Sequence, residues 1–477
     1  MQDGMFSQIV EMFGGRGQNF LANPKYFRTI YVLSDIWSGI GWNSIIYLAA
    51  LSSIDQEQYE AARVDGANRF QQMLHITLPG LVPTIMILFI LRMGNILNVG
   101  YEKILLLYNS ATYATADVIS TYTYRLSFGG SGNPMYSKST AIGLFNTIIN
   151  VCFLMLTNLI SKKATDAGFI LMRGGFKNEN EVKKTKNETS LGDKIFVVIN
   201  SAILICLCII TLYPIWYVFC ASMTSNTYLV SHPGILLWPH EMTFGAYKLA
   251  FSHPLLLSGY TNTLIILAVS LPINILMTLF AGYFMASKDV MFKPLLQGLI
   301  MFTMFFSGGM IPAYLNIRDL GLYNSLWALI LPGALSVYNS IICKTAIESV
   351  PESLKESAYI DGANDVIILF RIIVPLIKAT LAVLLLYYGV GHWNAWFNAS
   401  IYLKDNEKLP IQNIMRAILI ANSNVLNSAA AENDQVNQFA EAIKYSTIIL
   451  TTVPVLCIYP FIQKYFVKGV MIGAVKG

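Results

Sequence analysis

The sequence predicts an all-α, polytopic membrane protein of about nine transmembrane helices. Three observations carry this. Of the 477 residues 55% are apolar and only 12% charged, with a mean hydropathy of +0.53, which suits a chain surrounded by hydrocarbon. Apolar runs near the twenty residues that a bilayer requires recur along the chain. One polar segment, falling between apolar runs, occurs twice: residues 60–79 read EAARVDGANRFQQMLHITLP and residues 356–375 read ESAYIDGANDVIILFRIIVP. The two copies align without a gap, and upstream Ser44-Ile45-Ile46 parallels Ser340-Ile341-Ile342. Such spacing marks a chain built from two related units.

Taken in order, residues 1–24 are mixed and Gly-rich, without the apolar core of a signal peptide. Apolar runs follow at 29–54, 80–100 and 139–160, with 101–138 reading as a sizeable polar and aromatic loop. Residues 162–194 change abruptly to Lys, Asn, Glu and Gly and read as a charged linker. Six further runs lie at 195–220, 258–287, 294–316, 322–343, 379–403 and 445–463. The units are therefore 1–161 and 195–477. Placing both repeat segments, the linker, Lys288, Lys293 and the C-terminus on one side gathers the larger share of Lys and Arg there. That side is expected to be cytosolic, and 1–28, 221–257 and 404–440 then face outward.

Each repeat reads as two short helices around a turn. Tyr59-Glu60-Ala61-Ala62-Arg63 is a good helix former that Asp65-Gly66 interrupts. Gly66 is expected to take the left-handed conformation that ends the first helix, and Asp65 to cap the next. Asn68 to Ile76 can then form a short amphipathic helix, and Pro79 should start the apolar span that follows. Asp361, Gly362 and Pro375 repeat the pattern.

With these motifs the chain resembles the membrane subunits of type I ABC importers, whose hallmark is a cytoplasmic Glu-Ala-Ala…Gly…Pro loop. The likeness is to the carbohydrate-uptake permeases, and within them to the polysaccharide or oligosaccharide branch. Tyr26-Phe27…Ser34-Asp35-Ile36-Trp37, Asn109…Thr112-Tyr113…Ala116-Asp117-Val118-Ile119 and the tail Lys468-Gly469-Val470-Met471-Ile472-Gly473-Ala474-Val475-Lys476-Gly477 carry that part of it. Ser357 stands where the motif would put Ala. The resemblance implies the type I importer transmembrane fold in a cell membrane, with loops 56–79 and 350–375 docking into a separate ATPase dimer on the cytosolic side. It also implies an extracytoplasmic sugar-binding protein as partner, and room for another permease subunit. This chain is then a permease and not an enzyme: it binds no cofactor, and ATP is used by the partner.

Glu60, Ala61, Asp65, Gly66 and Pro79, with Glu356, Ala358, Asp361, Gly362 and Pro375, are the expected ATPase-coupling residues. The substrate path is expected at Arg92, Asn95 and Asn98 in one unit and at Trp393, Asn394 and Trp396 in the other. Arg92 is costly in lipid and should face the bundle interior or water. Arg92, Asn95 and Val99 share a helical face, with Asn98 and Glu102 on an adjacent strip. Rings that stack on sugars beside amide groups suit a carbohydrate path. An interfacial aromatic belt and a snorkelling Arg92 are the plainer readings.

The first unit shows three spans, aligning with the last three of the second unit's six, so it is expected to lack its N-terminal half. A truncated and fused gene, a start codon assigned too late or a nine-span variant would each produce this. A transport-inactive permease remnant is then the alternative function. A secondary transporter would usually show inverted repeats, whereas these run parallel. Enzyme chemistry lacks a constellation: His75, His232, His240, His253 and His392 are scattered, and no HExxH or paired-carboxylate motif appears. The six cysteines lie in or beside apolar runs without ligand spacing, so no metal site is expected. No GxxxxGK[ST] loop exists for ATP. A net charge of +5 calls for no nucleic acid.

Overall fold

The computed structural model describes residues 19–52, 54–109, 111–129, 134–172, 191–232, 234–288, 290–427 and 442–457, with a few positions before 16. Among the described residues the chain is helical, without strands. Two compact units emerge, mainly Leu21–Tyr213 and mainly Pro214–Met304 with Met310–Gly469.

In the N-terminal unit α1 (Pro24–Ser52) is followed by α2 (Gln56–Val64), α3 (Arg69–Met93) and α7 (Tyr136–Met172). Residues 101–138, expected as loop, hold three helices: α4 (Tyr101–Leu107), α5 (Tyr113–Ala116) and α6 (Ile119–Phe128). They form because they share a small core, in which Phe27, Ile104 and Ala116 are buried with Tyr31 and Val118 packed on them. Polar groups fasten this core to the start of α1. Thr115 Oγ1 donates to the Pro24 carbonyl at 3.0 Å and Asn109 Nδ2 to that of Leu21 at 3.3 Å. Asp117 takes both guanidinium nitrogens of Arg125, at 2.8 and 2.5 Å. Arg125 foremost, then Thr121, holds the Asp117 carboxyl below its usual range.

The span expected at 80–100 starts earlier and stops sooner, running as α3 from Arg69 to Met93. Gly94 closes it, and a Cβ there would lie 2.8 Å from Leu154 on α7. The helical face expected to join Arg92, Asn95 and Val99 therefore does not exist, because Asn95 lies beyond the helix end. α7 continues to Met172 and α8 begins at Leu191, so helix reaches into both ends of the stretch read as linker.

α8 (Leu191–Ser222) is apolar on all sides, with Val198 and Ile209 exposed by 67% and 63%. A helix apolar all round belongs in a membrane, against lipid or other helices. α9 (Asn226–Ser231) and α10 (Gly245–Phe251) follow within 221–257, the segment expected to face outward. α11 (Leu256–Ala286) centres the C-terminal unit. Its buried stripe is small and polar, with Gly259, Thr263, Ser270, Asn274, Thr278 and Gly282 recurring at helical spacing. Small residues let helices approach closely in a membrane: a Cβ on Gly282 would lie 2.9 Å from Cys343 Sγ.

Three apolar runs expected as single spans are broken. Residues 294–316 form α12 (Lys293–Phe305) and α13 (Met310–Asp319), bent by 110°. The break is Phe306-Ser307-Gly308-Gly309, with Gly309 at φ +95. Residues 322–343 hold α14 (Trp327–Ile330), an unwound stretch at 331–336 that contains Pro332-Gly333, and the start of α15 (Val337–Glu348). Beyond α16 (Glu352–Ile360), α17 (Asp365–Leu376) bends by 86° into α18 (Lys378–Asn394), and Ala395-Trp396 separates α18 from α19 (Phe397–Tyr402). α20 (Ile411–Asn427) occupies the segment expected as an outward loop, and α21 (Ala442–Cys457) is the last described helix. By length and apolarity four described helices suffice to cross a membrane, or six counting bent pairs as one span each. The tail from Lys468 to Gly477 lies outside the described residues.

Unwound backbone is tolerated at membrane depth only when its polar groups are satisfied by protein or water. At 331–336 α11 and α18 do this. Asn274 Nδ2 donates to Gly333 at 2.6 Å and Ala334 at 3.0 Å, and the Ser336 N–H donates to Tyr388 Oη at 3.0 Å. Thr278 and Tyr388 share a hydrogen bond of 2.7 Å, and His392 Nε2 lies 3.0 Å from Asn274 Oδ1.

Candidate coupling loops

Both repeats fold into the same turn. Asp65 and Asp361 cap the C-terminal ends of α2 and α16, and Gly66 and Gly362 follow at φ +78 and +81. Ala67 N–H donates to Ala62 at 2.8 Å and Gly66 N–H to Arg63 at 3.1 Å. Ala363 and Gly362 do the same to Ala358 and Tyr359, at 2.9 and 3.0 Å. These paired bonds are a Schellman motif, which satisfies the last free carbonyls of the helix. A Cβ on either glycine would meet nothing within 4 Å. What requires glycine is therefore the left-handed backbone and not lack of space.

The cap of the second helix is not Asp65 or Asp361, as expected, but Asn68 and Asn364. Asn68 Oδ1 accepts from Gln71 N–H at 2.8 Å while Gln71 Oε1 accepts from Asn68 N–H at 2.9 Å, a full capping box. Asn364 Oδ1 accepts from Ile367 N–H at 2.9 Å. The left-handed glycine spends two residues reversing the chain, so the next extended residue, where a cap belongs, is the Asn.

The prolines stand in the first turn of the α-helical stretch that follows, as expected, but helix also precedes them. Helix continues through Pro79 and Pro375 because a wider π-turn precedes each, at Met73–Thr77 and Ile368–Ile373. Leu78 and Val374 donate five residues back, to Met73 and Leu369. In an α-helix the proline ring would strike the carbonyl four residues earlier, and the widened turn relieves that clash.

Glu60, Ala61, Asp65, Glu356 and Asp361 are exposed, and neither Glu60 nor Glu356 enters an ion pair among the described residues. Ala358 is buried, packed with Ile368, Leu369 and Ile373 over Cys343 and Ile347 of α15. Its place is the core beneath the loop and not the loop's outer surface. That outer surface is apolar at matching positions: Val64 and Ile360, Phe70 and Val366, Leu74 and Phe370 are all exposed, Ile360 by 86%. The shared apolar positions were visible in the aligned repeats, but their exposure required the fold.

The residues expected along a substrate path separate. Arg92 is exposed in the last turn of α3. Asn95 and Asn98 come together at 3.3 Å, and Asn98 accepts from Asn146 of α7 at 3.1 Å, while Asn150 accepts from Leu97 N–H. Asn146 and Asn150 were not singled out in the sequence, where single amides in an apolar run give little signal. Trp393 is buried against Leu256 and Ile411, its N–H donating to Thr451 at 3.1 Å. That is the setting of a packing residue. Asn394 is exposed, and Trp396 is half-buried with the Arg416 guanidinium 4.2 Å over its ring.

Comparison with known proteins gives these features a family. Residues 9–166 and 242–472 match the model of the binding-protein-dependent transport system inner membrane component. The chain is 35% identical over 285 residues to the polygalacturonan/rhamnogalacturonan transport system permease protein YtcP of Bacillus subtilis, covering 60% of this chain and 99% of that one. It is 40% identical over 165 residues to YteP, a permease protein bearing the same system name in that organism, covering 35% of this chain and half of that one. It is also similar to the crystal structure of a bacterial ABC transporter that imports the acidic polysaccharide alginate, with a TM-score of 0.54 and 28% identity over 59% of this chain and all of that one. The chain is a multi-pass membrane permease and belongs to the binding-protein-dependent transport system inner membrane component family.

Proposed function

We propose that this chain is the permease of an importer for an oligosaccharide, driven by a separate ATPase that grips loops 56–79 and 350–375. The observation that carries the reading is the matched pair of loops, each with a left-handed glycine and three exposed apolar residues at equivalent positions. An apolar surface on a polar loop is worth keeping only if a partner covers it. ATP closure of an ATPase dimer would move the two loops, and a loop held by a Schellman turn, an Asn cap and a π-turn moves as a rigid element.

In this reading both loops, the 162–194 stretch and the C-terminus are cytosolic, and an extracytoplasmic binding protein delivers cargo to the outer face. The names of YtcP, YteP and the alginate importer support a polysaccharide-derived cargo. Of the expected path residues, Arg92, Asn95, Asn98, Asn394 and Trp396 keep the exposure or polar company that a sugar path needs. Trp393 does not.

The test is reconstitution of the full chain in liposomes with its ATPase and binding protein, measuring uptake of a labelled galacturonan oligosaccharide. ATP-dependent uptake supports the reading. Assembly with ATP hydrolysis but no uptake of any sugar tried would favour a transport-inactive remnant. Uptake only when another permease is added would make this chain one subunit among several.

A further inference from the structure

Asp365 is the first residue of α17, next to the Asn364 cap. Its Oδ1 accepts from the Tyr283 hydroxyl at 2.6 Å and from the Tyr359 hydroxyl at 2.5 Å. Tyr359 lies in the last turn of α16 and Tyr283 in the last turn of α11. One carboxylate oxygen thus joins both helices of the loop to a membrane helix. The hydrogen bonds are charge-assisted, the stronger kind, and the two hydroxyls hold the Asp365 carboxyl below its ordinary range. A second link, Lys288 to Glu352 at 2.6 Å, has side chains exposed by 71% and 55% and contributes little in water.

Further along α11, Asn274 and Thr278 hold the unwound stretch at 331–336 and Tyr388. The helix fastened to the loop is therefore also the one that supports the break in the membrane. At the equivalent positions of the other repeat Arg63 stands for Tyr359 and Arg69 for Asp365. In the N-terminal loop Tyr59 Oη and Thr77 Oγ1 lie 2.9 Å apart, and Gln72 Nε2 donates to the Ala67 carbonyl at 2.7 Å.

We propose that Asp365 is a positioning residue that fastens the C-terminal coupling loop to α11, so that a push on this loop is passed to the membrane helices through Tyr283. This rests on the coupling role proposed above.

The test compares wild type, Asp365→Asn, Asp365→Glu and Tyr283→Phe in the full assembly, reading galacturonan oligosaccharide uptake and ATP hydrolysis in the same vesicles. Amide hydrogen exchange at residues 363–368 of the chain alone reads the fastening without transport. The expected result is about tenfold faster exchange in Asp365→Asn and Tyr283→Phe. Uptake per ATP should fall by about fivefold or more, with hydrolysis nearly unchanged and the ratio largely restored by Asp365→Glu. Unchanged exchange and an unchanged ratio would overturn the proposal while leaving the permease reading intact. Parallel loss of uptake and hydrolysis would also overturn it, as a purely structural effect. A wild-type assembly that hydrolyses ATP without uptake would remove the permease reading, and the positioning role with it.

Discussion

Asn274 on α11 donates to the Gly333 carbonyl at 2.6 Å, so a side chain of one membrane helix completes the backbone of another that has come unwound. The same amide reaches Ala334 and its oxygen faces His392. Asn274→Leu keeps the branched shape but strands two carbonyls, which should cost about 1–3 kcal/mol. Thermal unfolding in detergent checks this. An unchanged midpoint would mean that the break is satisfied in some other way.

At Gly66 and Gly362 the constraint is conformational, because neither would crowd a Cβ. Asn visits the left-handed region far more readily than Val. Gly362→Asn should retain most uptake and Gly362→Val lose most of it, with a strain of about 1–2 kcal/mol for an ordinary side chain. The same order is expected at Gly66. Equal uptake by the Asn and Val variants would remove the turn from the mechanism.

The Asp117–Arg125 pair makes stability pH-dependent in a definite direction. A carboxyl whose folded value is depressed stabilises the fold above its unfolded value and ceases to as pH falls through the folded one. Asp117→Asn should therefore cost about 2 kcal/mol at neutral pH. The difference from wild type should shrink once the medium is acid enough to protonate wild-type Asp117. Unfolding midpoints of both proteins at neutral and acid pH give the comparison, and a constant gap would refute it.

The two tryptophans near the end of α18 should part company. Trp393→Ala empties a core site and should destabilise by about 3–5 kcal/mol. Trp396→Ala removes a ring under Arg416, worth about 1 kcal/mol as a cation–π contact, and should act on uptake kinetics instead. Unfolding and uptake measured on both variants decide between packing and path.

The readable parts of this fold were those where one local signal sufficed. α8 and α11 announce themselves as long apolar runs, and the loop glycines by Asp-Gly between two helical patterns. The misread parts depend on groups distant in sequence. Residues 322–343 are apolar enough to span, and only Asn274 and Tyr388, from other helices, make the unwinding at Pro332-Gly333 affordable. Nothing near Trp393 or Trp396 tells which ring meets Thr451 and which meets Arg416. Asp65 reads as the cap from sequence, but the residues consumed by a left-handed glycine move the cap to Asn68. The role of Asp365 was out of reach, because Tyr283 is 82 residues away.

The central claim, that both loops are held by an ATPase, is tested most directly by placing a charge on the exposed apolar position of each. Val64→Asp and Ile360→Asp alter side chains that are 54% and 86% exposed, so the fold should survive. The account predicts that the doubly substituted chain remains in the membrane but no longer co-purifies with its ATPase and imports nothing. Full co-purification and uptake with both charges in place would contradict it.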